Sequence, residues 1–236
     1  MQLPFFYIDS IRAVGDSLTL NEETSKHIVS VLRMKAGEEL HLTDGKGNLI
    51  KAEVLYSDKK HCEVLIKSAK FEFRKSHQVT IAHSLLKNAS RFEWFLEKAT
   101  EIGVGEIIPL LCERTERLHF RKDRMVGLIV SAMLQSRQCW LPQLQEPLKF
   151  DNYIELDFPD YDLFIGYCDD HKKPALSNKL KKFQHSLVCI GPEGDFTKNE
   201  IEKSLEQSYI PVSLGNSRLR SETAGVVAAT LLCIDT

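Results

Sequence analysis

Among its 236 residues the chain has no Cys-x-x-Cys pair; its six cysteines stand at 62, 112, 139, 168, 189 and 233. Without that spacing, a structural zinc site or a redox dithiol has no support. Surroundings such as "LLCE", "LVCIG" and "LLCID" read instead as small hydrophobes in a core, free in a reducing compartment. That makes the expected location cytoplasmic and the sequon-like "NAS" at Asn88 without meaning. Charge of one sign is also lacking: 31 Lys and Arg face 33 Asp and Glu, a formal net charge of -2. No global field draws in nucleic acid or an anionic membrane, so any basic surface must be local. Apolar runs such as 224–232 fall far short of a membrane span, and no membrane partner is expected. The start, "MQLPFFYIDSIR", lacks a basic opening and is interrupted by Asp9, so it does not read as a signal peptide. His27, His77, His83 and His119 are scattered without ligand spacing, and no metal is assigned. Neither G-x-G-x-x-G nor a Walker A loop occurs, which leaves a dinucleotide or a nucleoside triphosphate unindicated.

What is present divides the chain in two. A hydrophobic content of 43% allows a sizeable core, and the length suits one large domain or two modest ones. Residues 1–72 read as a small β-barrel. "ELHLTDGKGNLIKAEVLYSDKKHCEVLIK" gives three strand-like runs parted by the turns "DGKG" and "SDKK", after one short helix in "NEETSKHIVSVLRMKAGE". "FEFRKSH" is the expected linker. Residues 73–236 alternate strand and helix. Strands are expected at "QVTIAHSLL", "GEIIPLLC", "YDLFIGYC", "SLVCIG" and "IPVSLG". Helices are expected at 90–102, where Phe92, Phe95, Leu96, Ala99 and Ile102 form one stripe, over "RKDRMVGLIVSAMLQSRQ", and near 174–183, 197–208 and 222–234. This rhythm argues for an α/β fold with a mainly parallel sheet.

Parallel sheets place ligands beyond the carboxyl ends of their strands, and two such ends carry conspicuous loops. In "GPEGDFTKNEIE", Gly191 and Gly194 permit close backbone approach, Pro192 stiffens the turn, and Thr197 with Glu200 forms a capping box. Such a turn also occurs as an ordinary strand-to-helix connection. In "LGNSRLRSETA", Ser221 is suited to cap the last helix, and Glu222 sits in a first turn that favours a carboxylate. Arg220 is a cation beside a helix N-terminus, where the dipole repels it. It needs an anion: an RNA phosphate, a cofactor carboxylate or Glu222.

These loops, in this order near the end of the chain, resemble the cofactor-binding knot of the SPOUT methyltransferases. More closely, "HIVSVLRMKAGEELHLTDGKG", "KNASRFEWFLEKATEIGVGEIIPLLCERT", "QSRQCWLPQ", "IGPEGDFTKNEIE" and "LGNSRLRSETAGVVAAT" resemble the bacterial 16S ribosomal RNA uracil-N3 methyltransferases, the RsmE family. The stretches run from one end of the chain to the other. Leu134, Gln138, Ser217 and Arg218 depart from the family pattern, whereas Arg220, Glu222, Thr223 and Ala224 keep it. The resemblance implies a SPOUT α/β trefoil-knot methyltransferase domain preceded by a small PUA-like β-barrel domain. It implies S-adenosylmethionine held by Ile190, Gly191, Pro192, Glu193, Gly194, Leu214, Gly215, Ser217, Leu219, Arg220, Thr223 and Ala224. Its substrate would be 16S rRNA, within the small ribosomal subunit, and its working form a homodimer; the small-residue helix "ETAGVVAAT" suits close packing at such an interface and would equally suit a monomer core.

Uracil N3 is a poor nucleophile until it loses its proton. Arg220 is therefore expected to favour the deprotonated imide and Glu222 to accept the proton, unless Glu222 only orients Arg220. RNA contacts are expected from Arg33 and Lys35 in the barrel and from Arg114, Arg117, Arg121 and Lys122 in "ERTERLHFRKDR". Such charge runs are more often solvated helix faces, Lys59 and Lys60 read as turn residues, and Phe92, Trp94 and Phe95 as core. Two alternatives stay open: another SPOUT enzyme acting on ribose 2′-oxygen, and an inactive RNA-binding module.

Overall fold

A computed structural model describes residues 3–58, 61–74, 77–169, 171–181 and 184–234. Lys59 and Lys60 lie outside the described residues. Packing divides the chain into two compact units, residues 1–74 with 133–141 and residues 75–132 with 142–236.

The first unit contains β1 (Phe5–Tyr7), β2 (Ser17–Thr19), α1 (Glu22–Lys26), β3 (Glu39–Thr43), β4 (Asn48–Ser57) and β5 (Cys62–Phe71). They form one sheet in the order β1-β3-β4-β5-β2, with β1 parallel to β3 and the other pairs antiparallel. Alternation drives it: Ile50, Ala52 and Val54 of β4 and Val64 and Ile66 of β5 are buried, and Leu40, Leu42 and Ile28 complete the core. The barrel expectation is met only as a five-stranded sheet, because β1 and β2 stay at opposite edges of its hydrogen-bonded order among the described residues. The short helix also differs from its expectation. Asn21 caps α1 by accepting from the Thr24 amide at 2.8 Å, but from His27 to Val31 the coil widens to a π-turn. Arg33, in the left-handed region at φ 56°, then ends it.

The second unit contains β6 (Val79–Ser84), α2 (Ala89–Ile102), β7 (Glu106–Leu111), α3 (Lys122–Gln135), β8 (Gln143–Leu144), β9 (Leu148–Lys149), α4 (Phe150–Tyr153), β10 (Tyr161–Gly166), β11 (His185–Ile190), α5 (Lys198–Glu206), β12 (Ile210–Val212) and α6 (Ser221–Ile234). Its sheet runs β12-β10-β11-β6-β7-β8, with β9 also on β7, and every pair is parallel. Every residue of β6 is buried, as a strand covered on both faces requires. Phe92, Phe95, Leu96 and Ala99 of α2 are buried as the stripe requires, while Trp94 is 43% exposed. Helix α6 packs on α2 and β6. A Cβ on Gly225 would lie 2.7 Å from both the His83 and the Phe95 rings, so glycine is what lets α6 come this close.

No helix forms at 174–181. A single 3-10 turn at Leu176–Asn178 replaces it. The backbone there is used otherwise: the Leu176 N–H donates to Ser213 at 2.9 Å, and Ser213 donates to Pro174 at 2.9 Å. Only Leu176 of the segment is buried among its described residues, so no apolar face would hold a helix down.

Candidate active site

The carboxyl ends of β10, β11 and β12 open into a cleft of about 470 Å³. Two loops expected from the sequence form two of its walls. Ile190, Gly191, Pro192 and Glu193 line one, and Leu214, Gly215, Ser217 and Leu219 line the other, with Ala224 beneath. Gly194, Arg220, Glu222 and Thr223 are not on its surface. A third wall was missed: Tyr167, Cys168, Asp169, His171, Lys172 and Lys173, the loop after β10. The strand-end rule that singled out the other two loops applies equally to "YDLFIGYCDDHKK". There Lys173 pairs with Asp169 and holds its ammonium 4.0 Å from the Tyr167 ring centroid. Cys168 is exposed on this wall, whereas the other five cysteines are buried and all six are free thiols.

The glycine turn is tightly held. Asp195 takes a left-handed φ of 64°, and its carboxylate accepts from the Phe196 N–H at 2.8 Å and from the Cys168 N–H at 2.7 Å, tying this wall to the third. Arg114 donates to the Gly194 carbonyl at 2.7 Å, and Glu193 accepts from the Lys87 N–H at 3.1 Å. The capping box of Thr197 and Glu200 is complete, and the other Glu200 oxygen accepts from the Glu113 N–H at 2.9 Å. Gly191 packs beneath Phe196, 3.1 Å from where its Cβ would be.

The opposite wall is not held this way. Between Leu214 and Arg220 no side chain has a hydrogen-bond or ion-pair partner among the described residues, and Arg218 and Arg220 are exposed. Glu222 does not meet Arg220. It is 7% exposed, and its Oε1 lies 3.6 Å from Arg91 Nε while its buried Oε2 has no partner. Beside it His83 is fully buried, with Nδ1 2.7 Å from the Ser84 carbonyl oxygen and Nε2 3.0 Å from that of Ser221. Burial holds the His83 pKa below its ordinary value; the two carbonyls, Glu222 and Glu193 pull the other way without reversing it. A neutral ring donates to only one of the two carbonyls.

Of the residues expected to touch RNA, Arg114 is committed to the glycine turn, Arg117 reaches its near neighbour His119 at 3.4 Å, and Lys122 pairs with Glu146 at 2.8 Å. Arg121 is exposed, as are Arg33 and Lys35 in the first unit. Arg124 binds Glu93 through two hydrogen bonds of 2.7 and 2.9 Å, which hold the Glu93 carboxyl below the usual range.

With this geometry in place, comparison with known proteins is informative. The family description of an RNA methyltransferase domain matches residues 74–233, and that of an RNA methyltransferase PUA domain matches residues 20–67. A ribosomal RNA small subunit methyltransferase E from Synechocystis is 30% identical over 218 residues, 90% of this chain and 71% of the relative. The crystal structure of a probable rRNA-methyltransferase from Porphyromonas gingivalis is 36% identical, covers 96% of this chain and 95% of its own, and superposes with a TM-score of 0.89. A putative methyltransferase from Legionella pneumophila, solved with bound S-adenosylmethionine, is 26% identical over 98% of this chain and 97% of its own, with a TM-score of 0.87.

Proposed function

The chain belongs to the RNA methyltransferase family with a PUA domain, the family of the ribosomal RNA small subunit methyltransferases E, and we propose that it methylates N3 of one uridine in 16S rRNA, using S-adenosylmethionine. The observation that carries this reading is the cleft at the ends of β10, β11 and β12. Its volume suits a ligand of nucleoside size. Ile190, Val212, Leu214 and Leu219 supply apolar walls for an adenine, and strand-end backbone groups supply polar edges. The residues present fit the cofactor. When bound, S-adenosylmethionine supplies an electrophilic methyl group on a sulfonium.

The chain's own residues account for the rest. The held glycine turn and the third wall fix one side of the cleft, and positioning of reactants is worth on the order of 7–11 kcal/mol where near-attack geometry is maintained. Arg220, exposed and without a side-chain partner among the described residues, is free to stabilise the uracil imide anion. Glu222 carries an unpartnered, buried carboxylate oxygen two residues on, which suits it to accept the N3 proton. Arg91 Nε lies 3.6 Å from the other oxygen of that carboxylate. Of the residues that depart from the family pattern, Ser217 and Arg218 line the cleft, whereas Leu134 and Gln138 do not.

Three finer features belong to the same reading. The trefoil knot is supported by β12 lying beside β10 while α6 returns to β6 and α2. A homodimer is supported by Val227, Leu231 and Ile234, a second apolar stripe on α6 that its own chain leaves half-buried or exposed. A boundary near residues 72–73 is supported by β5 ending at Phe71.

The test is transfer of labelled methyl groups to small-subunit particles and to naked 16S rRNA, with the product nucleoside identified by mass spectrometry. N3-methyluridine at a single site is expected. A 2′-O-methyl nucleoside would move the chain to another SPOUT chemistry. Tight cofactor binding without any transfer would leave an inactive RNA-binding module.

A further inference from the structure

Four side chains of the first unit form an exposed aromatic and cationic cluster to which methyl transfer assigns no role. Strand β5 ends on Phe71, 46% exposed, and Phe73 two residues later is 88% exposed. Their rings meet edge to face with centroids 5.2 Å apart, and Phe71 meets Trp140 in the same way at 5.8 Å. Arg74 places its guanidinium 5.0 Å from the Trp140 ring centroid.

The backbone holds this cluster in place. The Trp140 indole N–H donates to the Glu72 carbonyl at 2.7 Å. The Glu72 N–H donates to Gly47 at 2.7 Å, and the Gly47 N–H donates to Cys139 at 2.8 Å. Gly47 has φ 94°, and a Cβ there would stand 2.5 Å from the indole, so only glycine seats the ring on the turn between β3 and β4. One exposed phenylalanine is ordinary. Two exposed rings, one edge-on to a locked indole and the other edge-on to the first, beside a guanidinium, are a preformed surface.

Charge indicates what that surface takes. Lys46, Lys70, Arg74 and Arg137 are all exposed. Against them stands Glu72, 3.9 Å from Lys70. Asp44 is buried, with its oxygens accepting from the Lys46 N–H at 2.9 Å and from Asn48 at 3.0 Å. In a chain of net charge -2 this is a local positive excess. Of the four cations, Arg74 and Lys46 stand beside Trp140, while Arg137 donates to the Leu3 carbonyl at 3.2 Å. An apolar protein segment gains nothing from such cations, whereas an unpaired nucleotide offers a π-face and a phosphate together.

We propose that Phe71, Phe73, Arg74 and Trp140 form a stacking platform for an unpaired nucleotide of the RNA substrate. One base lies on Phe73, and the neighbouring phosphates face Arg74 and Lys70. The proposal rests on the reading of the chain as an enzyme that acts on rRNA.

Fluorescence anisotropy with a short labelled oligouridine, and with a blunt RNA duplex of equal length, tests it on the full chain. Phe73→Ala removes a ring that supports no core, so folding is not at stake. It should weaken oligouridine binding about ten-fold, the scale of one lost base stack, and leave the duplex unaffected. Phe73→Trp should retain binding. Arg74→Gln should lower the salt dependence of oligouridine binding by about one unit. Calorimetry should find S-adenosylmethionine affinity unchanged in all three. Oligouridine binding by Phe73→Ala as tight as that of the parent overturns the platform. So does a Phe73→Ala protein that sediments as a monomer where the parent is a dimer while binding oligouridine equally per protomer, since a second copy then covers the rings. A parent that needs Phe73 for oligouridine yet transfers no methyl group to rRNA upholds the platform while the enzymatic reading falls.

Discussion

The two principal walls of the cleft are built on opposite plans. The glycine turn after β11 has its conformation fixed by Asp195, Arg114, Glu193 and a complete capping box. The loop after β12 is held at its start by the Ser213 hydroxyl, which donates to the Gly215 carbonyl at 2.8 Å. From Leu214 to Arg220, however, no side chain has a hydrogen-bond or ion-pair partner among the described residues, and the loop ends in a buried corner where α6 meets His83 and Arg91. A site that binds one ligand before a second arrives benefits from this division. The fixed wall avoids an ordering cost for the first ligand, whereas Arg218 and Arg220 have no side-chain partner among the described residues.

The largest effect expected from this contrast lies on the free wall. Arg220→Ala should reduce the methyl-transfer rate at saturation a hundred-fold or more, about 2.7 kcal/mol of barrier, while thermal stability and cofactor affinity stay close to those of the parent. An unchanged rate would remove Arg220 from the chemistry. Next is Glu222→Gln, for which a ten- to hundred-fold slower transfer is expected, with loss of the acidic limb of the pH–rate profile. Binding lost with an unshifted profile would make Glu222 a structural residue of the corner. On the fixed wall, the sign of the contrast reverses. Asp195→Ala leaves the Cys168 and Phe196 N–H groups without their acceptor. It should cost roughly 1–3 kcal/mol in urea unfolding and weaken cofactor binding about ten-fold in calorimetry. A variant as stable as the parent would show that the wall is not fixed by Asp195.

The same contrast explains what could be read from the sequence. The glycine turn was legible because its devices are local: Thr197 and Glu200 sit three residues apart, and Gly191 ends a strand. The partners that complete it were not, because Arg114 and Lys87 come from about 80 and 106 residues away. The charge run 113–124 therefore looked like an RNA surface, although Arg114, Lys122 and Arg124 are engaged inside the protein. The dipole argument singles out Arg220 and Glu222 as candidates, but Arg91, the partner of Glu222, lies on a helix legible only by its apolar stripe. The alternation of strand and helix gave the parallel sheet, whereas β8, β9 and α4 span two to four residues, too few for any periodicity. The expected helix does not form at 174–181 because the Leu176 N–H donates to Ser213 and the Ser213 N–H donates to Pro174, bonds invisible locally.

The smallest effect probes the anchor of the free wall. His83 lies against the Ser221 carbonyl at the start of α6, with Glu222, Arg91 and Glu193 as its charged surroundings. Burial lowers its folded pKa below the unfolded value of 6.5. The unfolded chain therefore binds a proton first as pH falls, and stability contributed by neutral His83 is complete above 6.5 and declines below it until the folded pKa is reached. Most carboxylates titrate lower, so urea unfolding at pH 7.5 and pH 5.5 isolates this window. The parent should lose more stability across it than His83→Gln, whatever the variant's own starting stability. A smaller loss in the parent than in the variant would mean that the ring is protonated in the fold, donating to the Ser84 and Ser221 carbonyls together. The corner would then place a cation beside the Glu222 carboxylate.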